Sequence, residues 1–69
     1  MLEITLKEDY IKLGQVLKAT GLVESGVYAK FVIQDELVKV NGIIETRRGK
    51  KLVSGDLVEF EGETIKILK

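Results

Sequence analysis

The chain has 69 residues, and its 11 basic and 11 acidic side chains give a formal net charge of zero at pH 7. The absence of Cys and His excludes disulfides and the commonest metal ligands, and no apolar run approaches the ~18 residues that a membrane-spanning helix needs. A chain of this length buries only about 60% of the surface exposed when unfolded. We therefore expect one cytoplasmic domain over residues 1–69, with a core stabilised by packing alone.

The N-terminal third of the chain predicts a strand followed by a helix. Apolar and polar residues alternate at the period of two that is typical of a strand with one buried face, and the apolar positions are Leu2, Ile4 and Leu6. We expect Asp9 to cap a helix over residues 12–20, which Gly21 ends by permitting the left-handed conformation. The apolar stripe of this helix consists of Leu13, Val16, Leu17 and Thr20, and the polar row beside it of Lys12, Gln15 and Lys18.

Ser25 predicts the start of a second helix that runs to about Asp35, because its hydroxyl can accept a hydrogen bond from a first-turn N–H group. Apolar residues surround most of this helix: Val27, Tyr28, Ala29, Phe31, Val32 and Ile33. Lys30 and Gln34 are its only long polar side chains, so we expect the helix to be largely buried. The β-branched residues leave a strand as the competing interpretation, which the Ser cap and the following Asp-Glu disfavour.

A hairpin is predicted at Asn41-Gly42, because both residues tolerate positive φ and they lie between two β-branched runs. A two-residue turn gives three pairs: Val40 with Ile43, Lys39 with Ile44 and Val38 with Glu45. We expect one face of the hairpin to point to the core through Val38, Val40 and Ile43. Partial cover of Ile44 by another element is also expected.

Two turn signals, Gly55-Asp56 and Glu61-Gly62, enclose a short strand over residues 57–60. A last strand follows, in which Ile65 and Ile67 alternate with polar residues, and we expect it to pair with the first strand. The order of elements predicts a two-layer α+β domain: a helix pair packed on a small, mostly antiparallel sheet of about five short strands.

Basic residues are concentrated in two segments, residues 12–30 and 39–51, although the whole chain is neutral. The two segments together hold eight basic and two acidic side chains, so they carry +6 and the remainder carries −6. The basic side chains are Lys12, Lys18, Lys30, Lys39, Arg47, Arg48, Lys50 and Lys51. If both segments share one face, this is the charge distribution of a nucleic-acid-binding surface.

A series of motifs in fixed order covers most of the chain. They are Ile11-Lys12-Leu13-Gly14-Gln15-Val16-Leu17-Lys18, Gly21-Leu22-Val23-Glu24-Ser25-Gly26, Ala29-Lys30, Val38-Lys39-Val40-Asn41-Gly42, Glu45-Thr46-Arg47-Arg48-Gly49-Lys50-Lys51-Leu52 and Gly55-Asp56. Residues 10–60 thereby resemble the alpha-L RNA-binding motif, first named for the fourth small-subunit ribosomal protein, in its small stand-alone bacterial form (YaaA-like). Val27-Tyr28 departs from the family pattern, in which these two positions hold a small residue followed by a polar one. Many members of the wider family also carry an Arg early in the second helix.

The resemblance implies a non-catalytic protein that binds structured RNA, often ribosomal RNA or a ribosomal particle, without a cofactor or small-molecule substrate. The expected RNA-binding residues are Lys12, Gln15, Lys18, Ser25, Gly26, Lys30, Lys39, Arg47, Arg48, Lys50 and Lys51. Arg47 and Arg48 are the leading contacts, because a guanidinium grips a phosphate or a guanine edge bidentately, whereas Lys acts as a point charge. Gly49 would let the backbone approach the RNA closely.

Other interpretations of the same residues stay open. A basic loop or a polar helix face can simply be solvated, and Tyr28 can lie in the core instead of stacking on a base. The four aromatic residues are too few for a single-strand stacking platform, which favours recognition of RNA shape and backbone. The alternative functions are a protein-interaction module that uses the sheet edge or the basic loop, and a DNA-associated binding protein.

Overall fold

The computed structural model describes residues 1–69 as seven strands and two helices. Their bounds are β1 (Leu2–Thr5), β2 (Ile11–Lys12), α1 (Leu13–Ala19), α2 (Gly26–Gln34), β3 (Lys39–Val40), β4 (Ile43–Ile44), β5 (Lys51–Leu52), β6 (Leu57–Phe60) and β7 (Glu63–Leu68). The predicted α+β architecture is confirmed, with two helices packed on a mostly antiparallel sheet. Neither helix has the length and apolar character required to span a membrane.

The main sheet has five strands in the order β1-β7-β6-β3-β4, and all its neighbours are antiparallel except β1 and β7. The expected pairing of the terminal strands is confirmed, because Leu2 lies opposite Ile65 and Ile4 opposite Ile67. A separate two-stranded sheet joins β2 to β5. This small sheet connects the start of α1 to the segment that follows the basic motif.

The core is a single cluster of 15 buried apolar side chains drawn from both layers. Its helical members are Leu13, Val16, Leu17, Ala29, Val32 and Ile33. The predicted apolar stripe of the first helix is confirmed at Leu13, Val16 and Leu17, whereas Thr20 is the half-buried C-cap of α1. No polar or charged side chain is buried. Full burial of a Leu or Ile side chain contributes about 1.5–3 kcal/mol, so the packing of this cluster stabilises a small fold whose chain has no Cys to form disulfides.

The first helix begins later than the sequence predicts, and its N-cap is Lys12. Residues 11–12 are extended because they pair with β5, so the helical conformation cannot start at Asp9. The Lys12 backbone N–H donates to the side-chain Oε1 of Gln15 at 3.2 Å. Asp9 instead accepts a hydrogen bond from Lys69 Nζ at 3.0 Å, so its predicted capping role is wrong. Gly21 ends the helix at φ +78°, as predicted.

The second helix confirms its predicted cap but not its predicted burial. The Tyr28 backbone N–H donates to Ser25 Oγ at 3.1 Å. Val27 is 63% exposed, Phe31 is 56% exposed, and the Tyr28 side chain is also exposed. The expectation of a largely buried helix is wrong, because a two-layer domain covers only one face of α2 and the opposite face has no third layer.

The predicted hairpin is present, with Asn41 at φ 53° and Gly42 at φ 82°. The predicted cross-strand pairs at Val40–Ile43 and Lys39–Ile44 are both observed. The side chain of Ile43 is 73% exposed, so its expected core position is wrong, whereas Ile44 is 46% exposed and therefore partly covered. Their strand, β4, is only two residues long and forms the edge of the sheet.

Candidate nucleic-acid interface

The basic loop, residues 45–51, is attached to the start of α1 by strand pairing. Ile11 lies opposite Leu52 and Lys12 lies opposite Lys51 in the antiparallel pair of β2 and β5. Because α1 follows β2 directly, its first turn lies beside the basic loop. The start of the first basic segment and the end of the second therefore meet here in space.

Backbone hydrogen bonds fix the loop on the helix. The Leu13 N–H donates to the Lys50 carbonyl at 2.9 Å, and the Gly14 N–H donates to the Arg48 carbonyl at 3.0 Å. These N–H groups belong to the first turn of α1, where no acceptor is available within the helix. A further bond from the Lys50 N–H to the Arg47 carbonyl at 3.2 Å closes a turn inside the loop. The loop carbonyls thus accept hydrogen bonds from first-turn N–H groups of α1, and the same bonds hold the loop against the helix.

Gly14 provides space for the side chain of Arg48. A Cβ atom at position 14 would lie 2.7 Å from Arg48 Cγ and 3.3 Å from Arg48 Cδ. The aliphatic part of Arg48 therefore crosses the helix directly above this buried glycine. Gly14 is absent from the RNA-binding residues predicted from the sequence. The available signal was a glycine within a helix, where it costs about 1 kcal/mol relative to Ala.

An open groove of about 350 Å³ lies between α1, the start of α2 and the basic loop. We call it the basic groove, and its lining residues are Lys12, Gly14, Gln15, Lys18, Gly26, Arg48 and Gly49. Three of these residues are cations, none is an acid and none is hydrophobic. The groove brings together five of the predicted RNA-binding residues, namely Lys12, Gln15, Lys18, Gly26 and Arg48.

A second basic depression adjoins the groove at Gly49. We call it the loop flank, and it is lined by Arg47, Gly49, Lys50 and Lys51. The Nζ atom of Lys51 lies 4.7 Å from the ring centroid of Tyr10, a cation–π contact that orients the ammonium group. The groove and the flank together form one surface that carries six cationic side chains.

Arg47 is paired with an acid of its own loop. Its Nε donates to Glu45 Oε2 at 2.9 Å and its Nη2 donates to Oε1 at 3.1 Å, while its backbone N–H also donates to Oε2 at 3.1 Å. The Glu45 side chain is 14% exposed, whereas that of Arg47 is 69% exposed. The hydrogen bond from the Arg47 side chain lowers the pKa of Glu45, assisted by the charges of Arg47 and Lys50, and the same bond raises the pKa of Arg47.

Three predicted residues lie outside both depressions. The Ser25 hydroxyl is engaged as the cap of α2, and Lys30 is exposed on that helix one turn after Gly26, beyond the residues that line the groove. Lys39 lies opposite Glu59 in the main sheet, in a separate depression whose acidic residues are Glu36, Glu59, Glu61 and Glu63. The structure therefore gives Lys39 an acidic environment and does not bring it to the basic groove.

Comparison with known proteins identifies relatives over nearly the whole chain. The S4 domain family matches residues 4–68. YbcJ of Escherichia coli (strain K12), provisionally named an RNA-binding protein, is 39% identical over 62 residues, which cover 90% of this chain and 89% of YbcJ. RlbA of Bacillus subtilis (strain 168), provisionally named a ribosome maturation protein, is 42% identical over 59 residues, which cover 86% of this chain and 83% of RlbA.

A solved structure shares both the fold and the sequence pattern. The solution structure of E. coli YbcJ, described as revealing an alfaL motif involved in RNA binding, superposes with a TM-score of 0.76. The alignment is 37% identical and covers 100% of this chain and 89% of that chain.

Proposed function

Because the chain belongs to the S4 domain family, we propose that it binds structured RNA through the basic groove and the loop flank, and that it catalyses no reaction. The observation that carries this proposal is the groove itself, which gathers Lys12, Lys18 and Arg48 from two distant segments without an intervening acid. The name of YbcJ refers to RNA binding and the name of RlbA to ribosome maturation, and both support this proposal.

The side chains suit a phosphate backbone better than a base-by-base code. Clustered cations attract phosphates and release counterions on binding, and the Arg48 guanidinium can engage a phosphate with two parallel hydrogen bonds. Gly26 and Gly49 add no side chain at the groove wall, so an RNA backbone can approach closely there. Few aromatic side chains are present for base stacking, which favours recognition of the shape of a folded RNA.

Ribosomal RNA, or a ribosomal particle that presents it, is the RNA we propose. The name of RlbA refers to ribosome maturation, and RlbA aligns with 86% of this chain. A cytoplasmic site of action belongs to the same proposal, because ribosomes assemble and work there.

The proposal is tested by the salt dependence of RNA binding. Gel shifts with folded ribosomal RNA compare the wild type with Arg48→Ala and with the double variant Lys12→Ala, Lys18→Ala. Each lost phosphate contact is expected to reduce the magnitude of the slope of log K against log salt concentration by about 1. Lys39→Ala is the matched control, since it removes one positive charge outside the groove. Equal affinities and slopes for all four proteins would refute the proposed interface.

A protein-interaction module is the second candidate, and one observation favours it. Val27 and Phe31 are exposed on α2, and Ile43 is exposed on the edge strand β4. Exposed apolar side chains of this kind occur at protein–protein contacts. Copurifying proteins that remain bound after nuclease treatment would favour this candidate, whereas their loss on RNase digestion would favour RNA binding. Competition between duplex DNA and folded RNA distinguishes a DNA-associated role.

A further inference from the structure

We infer that Glu45 is a positioning residue for RNA binding: its carboxylate holds Arg47 and the turn of the basic loop in the geometry that contacts RNA. The inference rests on the proposed function, since it concerns the same surface. An acid within a basic surface would ordinarily be regarded as a charge that weakens anion binding. The hydrogen bonds of Glu45 indicate the opposite role.

One carboxylate fixes both the backbone and the side chain of the same arginine. Oε2 accepts the Arg47 backbone N–H and the Nε–H, and Oε1 accepts Nη2. The backbone bond orients the peptide unit before Arg47, and the two side-chain bonds hold the plane of the guanidinium. Glu45 itself is held by the hairpin, because its own N–H donates to the Val38 carbonyl at 3.0 Å. Glu45 therefore fixes the position of Arg47 relative to the hairpin of the main sheet.

The remaining donors of Arg47 face solvent. Its pair with Glu45 uses Nε and Nη2, so both hydrogens of Nη1 are free of that pair, and 69% of the side chain is exposed. A guanidinium held in this way can donate to a phosphate without first losing the rotamer freedom of a long side chain. The Glu45 side chain is 14% exposed and both of its carboxylate oxygens accept hydrogen bonds from Arg47, so the positive guanidinium offsets the negative charge of the carboxylate.

The turn that follows also depends on this anchor. The Arg47 carbonyl accepts the Lys50 N–H at 3.2 Å, and the Arg48 carbonyl accepts the Gly14 N–H. Arg47 is thus connected to the main sheet by its hydrogen bonds to Glu45, and to α1 by the hydrogen bonds of the loop backbone. Loss of the carboxylate would release one end of the segment that presents Arg47 and Arg48.

The charge effect and the positioning effect have opposite signs in one substitution. Glu45→Gln removes a negative charge from the basic surface, so electrostatics alone would raise the affinity for RNA. Positioning predicts a loss, because a neutral amide cannot accept all three hydrogen bonds and does not form the charge-assisted pair. We expect Glu45→Gln to weaken binding about two- to tenfold, the range of one lost hydrogen bond.

The test measures the affinity of end-labelled, folded ribosomal RNA for wild type, Glu45→Gln, Arg47→Ala and the double variant at several salt concentrations. In the Arg47→Ala background, Glu45→Gln is expected to cause a smaller further loss than in the wild type, because the two side-chain bonds are already absent and only the bond to the backbone N–H of residue 47 remains. Glu59→Gln is the matched control, since it removes an equal charge from the depression around Lys39. Thermal unfolding of each variant shows that the proteins remain folded.

Arg47→Lys provides a second, independent variant. It retains the positive charge but lacks the planar fork that grips the carboxylate, so we expect a loss similar to that of Glu45→Gln. A Glu45→Gln variant that binds RNA as tightly as wild type, or more tightly, overturns the inference while leaving the proposed function intact. A wild-type protein that binds no folded RNA overturns both.

Discussion

Gly14 lies directly beneath Arg48, with its N–H bonded to the Arg48 carbonyl at 3.0 Å and its Cα hydrogen at the place where a Cβ would meet Arg48 Cγ at 2.7 Å. A residue of the first helix thus determines the path of a side chain in the basic loop. The contact combines a backbone hydrogen bond with a steric requirement, and only glycine satisfies both without displacement of Arg48.

Gly14→Ala is expected to weaken RNA binding while leaving the fold intact. The added methyl group displaces the Arg48 stem from its path, but the stem is flexible, and Ala improves helix propensity by about 1 kcal/mol. Anisotropy titrations with folded RNA and thermal melts measure the two effects separately. In an Arg48→Ala background the substitution should have no effect on affinity. Equal RNA affinity of Gly14→Ala and wild type would show that the path of Arg48 does not matter.

Asn41 is expected to stabilise the domain without contributing to RNA binding. Its Nδ2 donates to Asp56 Oδ1 at 3.1 Å, and its Oδ1 accepts the Leu57 N–H at 2.9 Å, so it joins the hairpin turn to the start of β6. Asn41→Gly keeps the positive φ and removes both bonds, and it should lower the free energy of unfolding by about 1–2 kcal/mol. Urea denaturation measures this change. A parallel loss of RNA affinity in the folded variant would contradict the assignment.

The Glu45–Arg47 pair predicts an acid-dependent contribution to stability. The pKa of Glu45 is lower in the folded chain than its ordinary value, chiefly because the Arg47 side chain donates to it. The pair therefore stabilises the fold above the ordinary glutamate pKa of about 4.3, and this contribution disappears as the pH falls through the lowered value. The Tm difference between wild type and Glu45→Gln should be constant from about pH 7 to pH 5.5 and shrink below that range. A difference that is the same at pH 7 and pH 3 would exclude this contribution.

The two faces of α2 should differ sharply in their response to truncation. Ile33 is fully buried in the core, so Ile33→Ala is expected to cost about 2–5 kcal/mol. Phe31 is more than half exposed, so Phe31→Ala should cost less than about 1 kcal/mol despite the larger side chain removed. Chemical denaturation of both variants gives the comparison. Similar losses would mean that Phe31 is covered in solution, as it would be at a protein contact.

Local patterns of the sequence were sufficient for most of the fold. The alternation at Leu2, Ile4 and Leu6, the cap at Ser25 and the turn at Asn41-Gly42 each depend on neighbouring residues, and each matches the structure. The errors occurred where the outcome depends on the rest of the molecule. The exposure of Phe31 and Ile43 could not be predicted from their own segments, because it depends on which other layers of the fold exist to cover them.

The candidate interface shows the same division. The sequence located the cations of the groove and the flank, and the motif resemblance joined them to one function. The sequence did not show that Glu45 forms an ion pair with Arg47, that Lys39 lies among carboxylates, or that Gly14 leaves space for the side chain of Arg48. These relationships connect residues through a turn or a distant strand, so composition and spacing do not identify the partners, although a glycine within a helix marks position 14 as unusual.

Because the basic loop is attached to α1, RNA binding is also coupled to the stability of the folded protein. The bonds from Leu13 and Gly14 to the loop carbonyls exist only in the folded chain, so an unfolded chain cannot present the assembled groove. RNA at one hundred times its dissociation constant would stabilise such a protein by about 2.7 kcal/mol. Protease resistance of this small domain should therefore rise when its RNA is present and fall when that RNA is removed.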